Sequence, residues 1–120
     1  MEFLNQTELR GIVGRADVNT FPNNSSVCNF SVVTEYSTVD KDRNSIIETN
    51  WFNVSAWSGR ISLEELYKIQ KGVWVKVVGR NRTRKYTTQN GEERTTMDII
   101  ASSVEILPRE DVKMQPQRDY

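Results

Sequence analysis

The pattern that most constrains this chain is a strict alternation of side-chain types over residues 51–57. Side chains of a β-strand point to opposite faces in turn. If the segment is a strand, every second residue from Phe52 to Ala56 is apolar and suited to a core. The other face holds Trp51 and Trp57 with an amide and a hydroxyl between them, and burial would leave these polar groups in need of partners. The sequence therefore predicts a strand that displays two indole rings to solvent, where large apolar side chains usually indicate a binding surface.

Turn signals divide the rest of the chain into further strands and one helix. A capping box, with Ser62 three residues before Glu65, starts the helix, and Gly72 ends it. Glycines inside the first strand, Gly11 and Gly14, predict a bulge, a bend or a close backbone approach. The predicted strands cover residues 8–18, 27–36, 46–57, 73–87 and 93–107, and the helix covers residues 63–71.

Five strands with one helix between the third and the fourth is the element order of the OB-fold. The sequence therefore predicts an all-β domain over residues 1–107, a five-stranded Greek-key barrel with one short helix. A short polar tail is predicted over residues 108–120. OB-folds commonly bind oligonucleotides on the face of strands 2 and 3, which is where the exposed indoles fall.

Composition narrows the chemistry that the chain can perform. The 120 residues include no histidine and a single cysteine, Cys28, so His-based acid/base catalysis, an internal disulfide and a Cys-rich zinc site are excluded. The carboxylates form no motif that singles out a general acid and a general base. We therefore predict a protein that is not an enzyme and needs no metal or cofactor. Without an apolar run near the ~20 residues that span a bilayer, or a signal pattern in residues 1–10, we expect an intracellular protein without a membrane partner.

Positive charge is concentrated in one part of the chain, although the formal net charge is zero. Residues 51–86 contain eight Lys or Arg against two Asp or Glu, and the remaining residues carry the compensating excess of six negative charges. Screening confines the influence of each charge to about 8–10 Å at ordinary salt. A neutral chain can therefore carry a basic groove.

The predicted fourth strand combines cations with aromatic rings on one face. That face carries Trp74, Lys76, Val78, Arg80, Arg82, Arg84 and Tyr86. Cations neutralise phosphates, and aromatic rings stack on unpaired bases whatever their identity, so the combination favours single-stranded nucleic acid. The candidate stacking residues are Trp51, Trp57, Tyr86 and Tyr36. The candidate phosphate contacts are Arg10, Arg15, Arg60, Lys76, Arg80, Arg82, Arg84 and Lys85.

Structural alternatives exist for the aromatic residues. Trp51 and Trp57 are also compatible with a subunit interface or a core, and Tyr36 with packing at a strand end. Trp74 fits an interface or barrel packing at least as well as contact with a base. Arginines on an exposed strand are often only a solvated face, but here three of them share a side with aromatic rings.

Several segments, in order and spacing, resemble the bacterial single-stranded DNA-binding (SSB) protein family. The similarity spans about residues 5–107. It is carried by residues 9–14 (LRGIVG), 30–34 (FSVVT), 48–54 (ETNWFNV) with Trp57, 71–72 (KG), 77–86 (VVGRNRTRKY), 90–91 (NG) and 104–107 (VEIL).

The resemblance implies an OB-fold homotetramer that wraps single-stranded DNA without sequence preference. It implies base stacking by Trp51, Trp57 and Tyr86, with a further aromatic near Tyr36. Basic contacts carry over to Arg82, Arg84 and Lys85. Phe52 stands where the family commonly has histidine, so an assembly contact made by that histidine is not expected here. Residues 114–120 stand in place of the family's acidic tip, so recruitment of repair or replication enzymes is not expected.

Three hypotheses follow. The first is a non-catalytic, sequence-independent single-stranded DNA-binding protein of replication, recombination or repair. It would be a homo-oligomer, a tetramer or else a dimer, at the bacterial nucleoid in the cytoplasm. The second is a primosome-like OB-fold dimer that binds DNA and protein partners. The third is a structural or interaction protein in which the tryptophans only join subunits.

Overall fold

The structure contains the predicted five strands and one helix in the predicted order. A computed structural model describes residues 1–108. Within them the strands close into a barrel in the order β1-β2-β3-β5-β4, with β4 pairing back onto β1. Neighbouring strands are antiparallel except for a short parallel ladder between β3 and β5. The elements are β1 Thr7–Thr20, β2 Ser26–Val39, β3 Ser45–Trp57, α1 Leu63–Lys68, β4 Trp74–Thr87 and β5 Glu93–Leu107. The all-β, OB-fold prediction is confirmed.

The barrel interior is filled by the apolar positions that the alternation predicts. Val54 and Ala56 are fully buried, and Phe52 is partly buried against the same cluster. Leu66 of α1 is also fully buried and belongs to this core. The core consists of Val13, Cys28, Phe30, Val32, Val54, Ala56, Ile61, Leu66, Ile69, Val75, Val77, Ile99, Ala101 and Val104.

Helix α1 is shorter than predicted. Its N-terminus is the predicted capping box, since the Ser62 hydroxyl accepts a hydrogen bond from the Glu65 N–H at 3.2 Å. The helix ends at Lys68 because Ile69 adopts an extended conformation (φ −78°, ψ 102°) and is buried in the core. Gly72 is therefore not the helix stop; at φ 89° it forms part of the turn that leads into β4. Tertiary packing of one isoleucine outweighs the helical pattern here.

Glycines 11 and 14 have the two distinct roles that a strand glycine can have. Gly14 is the additional residue in the register shift between Val13 and Arg15, which is a β-bulge in β1. A Cβ on Gly11 would overlap the carbonyl oxygen of Val33 on the neighbouring strand. The bulge and the close backbone approach expected from the sequence are both present.

Two hairpins extend beyond the packed part of the barrel. Residues 41–50 of the β2–β3 hairpin are all exposed, as are most residues of the β4–β5 hairpin from Arg80 to Met97. The β2–β3 turn is closed by Asp40, whose carboxylate accepts from the N–H groups of Asp42 and Asn44, each at 2.8 Å. These bonds, with Asn44 contributing most, lower the pKa of Asp40. Apart from Pro108, the predicted polar tail lies outside the described residues.

Candidate nucleic-acid interface

The exposed face of β3 carries both tryptophans, as the alternation predicts. Trp51 is 63% exposed and Trp57 is 40% exposed, while the intervening residues of opposite parity face the core. The two tryptophans are six positions apart along β3, or about 20 Å at the rise of a β-strand. The two rings are therefore separate platforms at opposite ends of one surface.

The surface between the tryptophans is polar and continues across β2 into β1. Strand register places Asn53 beside Ser31, and Ser31 beside Arg15, so these three side chains form one row. In the next row Ser55 donates a hydrogen bond to the Asn29 Oδ1 at 2.8 Å. The face thus has apolar rings at its ends and a hydrogen-bonding floor with one cation, Arg15, in the middle.

Trp51 lies directly over the bulge in β1. A Cβ built on Gly14 would overlap Cζ3 of the Trp51 ring and come within 3.0 Å of the Ser31 hydroxyl oxygen. Glycine at this position therefore lets the indole lie close to the sheet. The ring atoms nearest to Gly14 are Cζ3 and Cη2, and the side chain as a whole remains 63% exposed.

Trp57 is paired with an aromatic ring that sequence reasoning did not select. Phe21, in the loop between β1 and β2, stacks on Trp57 with ring centroids 5.8 Å apart and planes inclined by 17°. Residues 21–26 lie between the first two predicted strands, where the sequence indicated only a connection. The signal that could have found Phe21 is its place just after β1, because the register aligns Asn19, Val27 and Trp57 across the three strands.

Two predicted arginines of β4 share one buried carboxylate. Asp98, 6% exposed, accepts from Nε and Nη2 of Arg82 at 3.2 and 3.1 Å, and its Oδ2 lies 3.2 Å from Nε of Arg84. The parallel ladder pairs Val54 with Ile99, so Asp98 falls beside Asn53 on the tryptophan face. The cluster carries a net charge of one, which is less than two free arginines would supply.

Asp98 was not selected from the sequence. The signal that could have found it is a single acidic residue at the start of an apolar run. The strand register places this residue opposite Arg82, so an ion pair between them is expected.

The remaining β4 candidates divide between the two faces of the β4–β5 hairpin. Tyr86 is exposed and has the parity of Arg82 and Arg84, so it continues the cationic face. Lys85 has the other parity and points away from it.

Arg60 and Arg80 line a separate cleft of about 230 Å³, together with residues that include Asn5 and Gln6. Asn5 is anchored by reciprocal hydrogen bonds with the backbone of Asn81, at 2.7 and 3.0 Å.

Three predicted contacts are not brought to the tryptophan face. Tyr36 lies opposite Glu48 in the register, on the side of the hairpin that is continuous with the core face. Arg10 lies opposite Lys76 on the β1–β4 side of the barrel. Lys76 is 3.1 Å from the Glu8 carboxylate, so part of its charge is already compensated.

The same side of the barrel carries an apolar row. Ile12 is aligned with Val33 on one side and Trp74 on the other, and Trp74 is aligned with Leu107. All four side chains are only partly buried. The register continues from Val33 to Trp51, so Trp74 lies in the same cross-strand row as Trp51, three strands away from it.

Within residues 1–108, no group of His, Cys, Asp and Glu side chains could hold a metal ion. No helix in that range is long and apolar enough to cross a membrane.

A closed OB-fold barrel with exposed rings and cations on the face of strands 2 and 3 has the arrangement of the oligonucleotide-binding barrels. The comparison with known families agrees with this class. Residues 4–107 match the model of the single-strand binding protein family, and the chain belongs to that family.

Relatives give the same family assignment, and solved structures share the fold. Proteins named single-stranded DNA-binding protein from Neisseria meningitidis serogroup A and serogroup B are each 35% identical over 105 residues, which is 87% of this chain. The chain spans 60% of the length of these relatives. The fold resembles a Plasmodium falciparum SSB in complex with ssDNA, with a TM-score of 0.80, 24% identity and coverage of 90% of this chain and 98% of the other. It also resembles a deletion mutant of the Thermus aquaticus single-stranded DNA-binding protein, with a TM-score of 0.73, 19% identity and coverage of 88% and 51%.

Proposed function

We propose that this protein binds single-stranded DNA without sequence preference and acts by binding alone. The observation that carries the proposal is the solvent-facing side of β3, where two indoles flank a hydrogen-bonding floor beside Arg15 and the Arg82–Arg84–Asp98 cluster. Each base–aromatic stack contributes about 1–3 kcal/mol and is sequence-tolerant because every base has a π-face. Membership of the SSB family supports this reading and favours it over the primosome-like alternative.

The spacing of the platforms sets an expected length dependence. Trp51 and Trp57 are about 20 Å apart, which is roughly six bases at a stacked spacing of about 3.4 Å. An oligomer that cannot reach both rings should bind with the energy of one platform only. We expect the affinity for dT oligomers to rise steeply up to about this length and more slowly beyond it.

The test is a titration with dT oligomers of graded length, followed by tryptophan fluorescence. We expect quenching on binding, since stacked bases contact the exposed indoles. Trp51→Ala should lower affinity about fivefold to a hundredfold, the effect of losing one stack. Trp74→Ala is the matched control, because it removes the same side chain from β4, three strands away from Trp51. Unchanged emission at saturating dT and low salt would refute the proposal.

We also propose that copies of the chain associate through the apolar row of Ile12, Val33, Trp74 and Leu107. Partly exposed apolar side chains aligned on adjacent strands favour protein contact over base contact, because no exposed cation interrupts them. We expect a homo-oligomer, with a tetramer as the first expectation and a dimer as the second. Sedimentation gives the mass, and Trp74→Ala should shift the molecule towards smaller species while dT binding by the subunit persists.

The cellular role we propose is protection of single strands in replication, recombination or repair, in the bacterial cytoplasm at the nucleoid. The family assignment supports this context.

A further inference from the structure

An open cavity lies at the end of the β3 face, between the β1–β2 loop and Trp57. Its volume is about 410 Å³, and it is lined by Phe21, Pro22, Asn23, Ser25 and Trp57. Cavities of roughly 300–1,000 Å³ are the usual size of small-ligand sites. No charged side chain lines it. The lining therefore suits a flat, neutral group with a polar edge better than it suits a phosphate.

The loop that forms one wall is held in place by its own hydrogen bonds. The Phe21 N–H donates to the Ser25 carbonyl at 2.8 Å, and the Asn24 N–H donates to the Phe21 carbonyl at 2.9 Å. The Ser25 N–H donates to the Asn23 Oδ1 at 3.1 Å. Pro22 restricts the backbone further through its fixed φ. The Phe21 ring is thus positioned against Trp57 before any ligand arrives, so binding requires little additional ordering of the loop.

The Phe21 and Trp57 rings cover neighbouring apolar residues, but much of their own surface remains exposed. Val27, aligned with Trp57 in the register, is 3% exposed yet lies outside the main core cluster, which is consistent with a cover formed by the aromatic pair. Phe21 and Trp57 themselves remain 43% and 40% exposed. Covering Val27 uses only the inner surfaces of the two rings. The outer surfaces remain available to a partner.

We propose that this cavity holds one nucleobase of the bound strand, stacked on the Phe21–Trp57 pair, with Asn23 and Ser25 at the edge of the base. The inference rests on the proposed function and extends it beyond β3 to the β1–β2 loop. The base stacks on the outside of the pair, because insertion between the rings would need two stacking distances of about 3.4 Å. The centroids are only 5.8 Å apart, so insertion would force the rings apart.

Phenylalanine variants test the proposal in the full chain, with dT oligomers as the probe. We expect Phe21→Ala to lower affinity about fivefold to a hundredfold, the range for loss of one base–aromatic stack. Phe21→Tyr keeps the ring and should bind as the unaltered protein does. Phe21→Leu keeps an apolar cover over Val27 without a ring, so it should retain thermal stability but lose affinity as Phe21→Ala does. Leu63→Ala, at a similarly exposed apolar side chain on α1, is the matched control and should leave affinity unchanged.

Two results would overturn the inference. Full affinity in Phe21→Leu would mean that Phe21 only covers Val27 and orients Trp57. Full affinity in Phe21→Ala would mean that the loop does not touch the strand. Failure of the proposed function is distinguishable from both, because the unaltered protein would then leave dT unbound, whereas failure of this inference leaves binding and the effect of Trp51→Ala intact.

Discussion

Replacement of Gly14 by alanine should separate DNA binding from folding in this protein. The added Cβ would overlap Cζ3 of Trp51 and approach the Ser31 hydroxyl, so the indole must leave its position. Because Trp51 is 63% exposed, the ring can swing outward at the cost of an unfavourable rotamer, about 0.5–1.5 kcal/mol. The platform is lost for stacking, which removes up to about 1–3 kcal/mol of binding free energy. We expect the free energy of unfolding in urea to fall by about 1 kcal/mol.

Affinity for dT oligomers should fall about fivefold to a hundredfold in the same variant. Gly79→Ala is the matched comparison, since its Cβ would overlap the backbone carbonyl of Ile100, which cannot swing away. That variant should lose much more stability than Gly14→Ala. The reasoning is refuted if Gly14→Ala folds normally and binds dT as tightly as the unaltered protein. Trp51 would then stack on bases equally well without its close position against residue 14.

Other consequences of the structure can be measured with the same assays. Asp98→Asn removes the negative charge shared by its two arginine partners, so the logarithmic salt dependence of dT binding should steepen by about 0.7, the value for one more phosphate on a single strand. Glu92→Gln, the same change at an exposed pair with Arg94, should leave it unaltered. Tyr86→Ala should weaken dT binding about fivefold or more, and Tyr36→Ala should weaken it less, because Tyr36 lies on the other face; equal losses would contradict this. Burial, with a smaller contribution from Asp17, raises the pKa of Cys28 from 9.0 to about 11. The fold favours the thiol, so stability should be full below pH 9.0 and fall as the pH rises towards 11, and a Cys28→Ala variant should lack this decline in urea unfolding.

The strands and the exposed tryptophans could be predicted because local patterns determine them. Alternation with period two places Val54 and Trp57 on opposite faces whatever the strand pairs with. The capping box at Ser62 likewise needs only neighbouring residues. The end of α1 depends on where Ile69 packs, which is tertiary information, and that boundary was predicted three residues too late.

The parts of the site that escaped prediction depend on strand register. Phe21 reaches Trp57 only because β1, β2 and β3 are aligned at one end, and Asp98 reaches Arg82 only because the β4–β5 hairpin pairs them. Tyr36 illustrates the converse. Its residue type suits stacking, but an uninterrupted register across thirteen pairs places it on the other face from Trp51. Residue type can be read from the sequence, whereas the face shared by distant residues requires the register.

Stacking should contribute more than charge to binding by this neutral chain. The cations that composition concentrates in residues 51–86 are partly compensated in the fold, since Arg82 and Arg84 share one carboxylate and Lys76 is paired with Glu8. Few uncompensated charges therefore remain on the tryptophan face, and each phosphate contributes only about 0.7 to the salt slope. The exposed rings keep their full value of about 1–3 kcal/mol per base, because stacking does not depend on net charge. Loss of one ring should consequently weaken binding more than a moderate rise in salt does, which is the reverse of what a binder that relies on phosphate contacts would show.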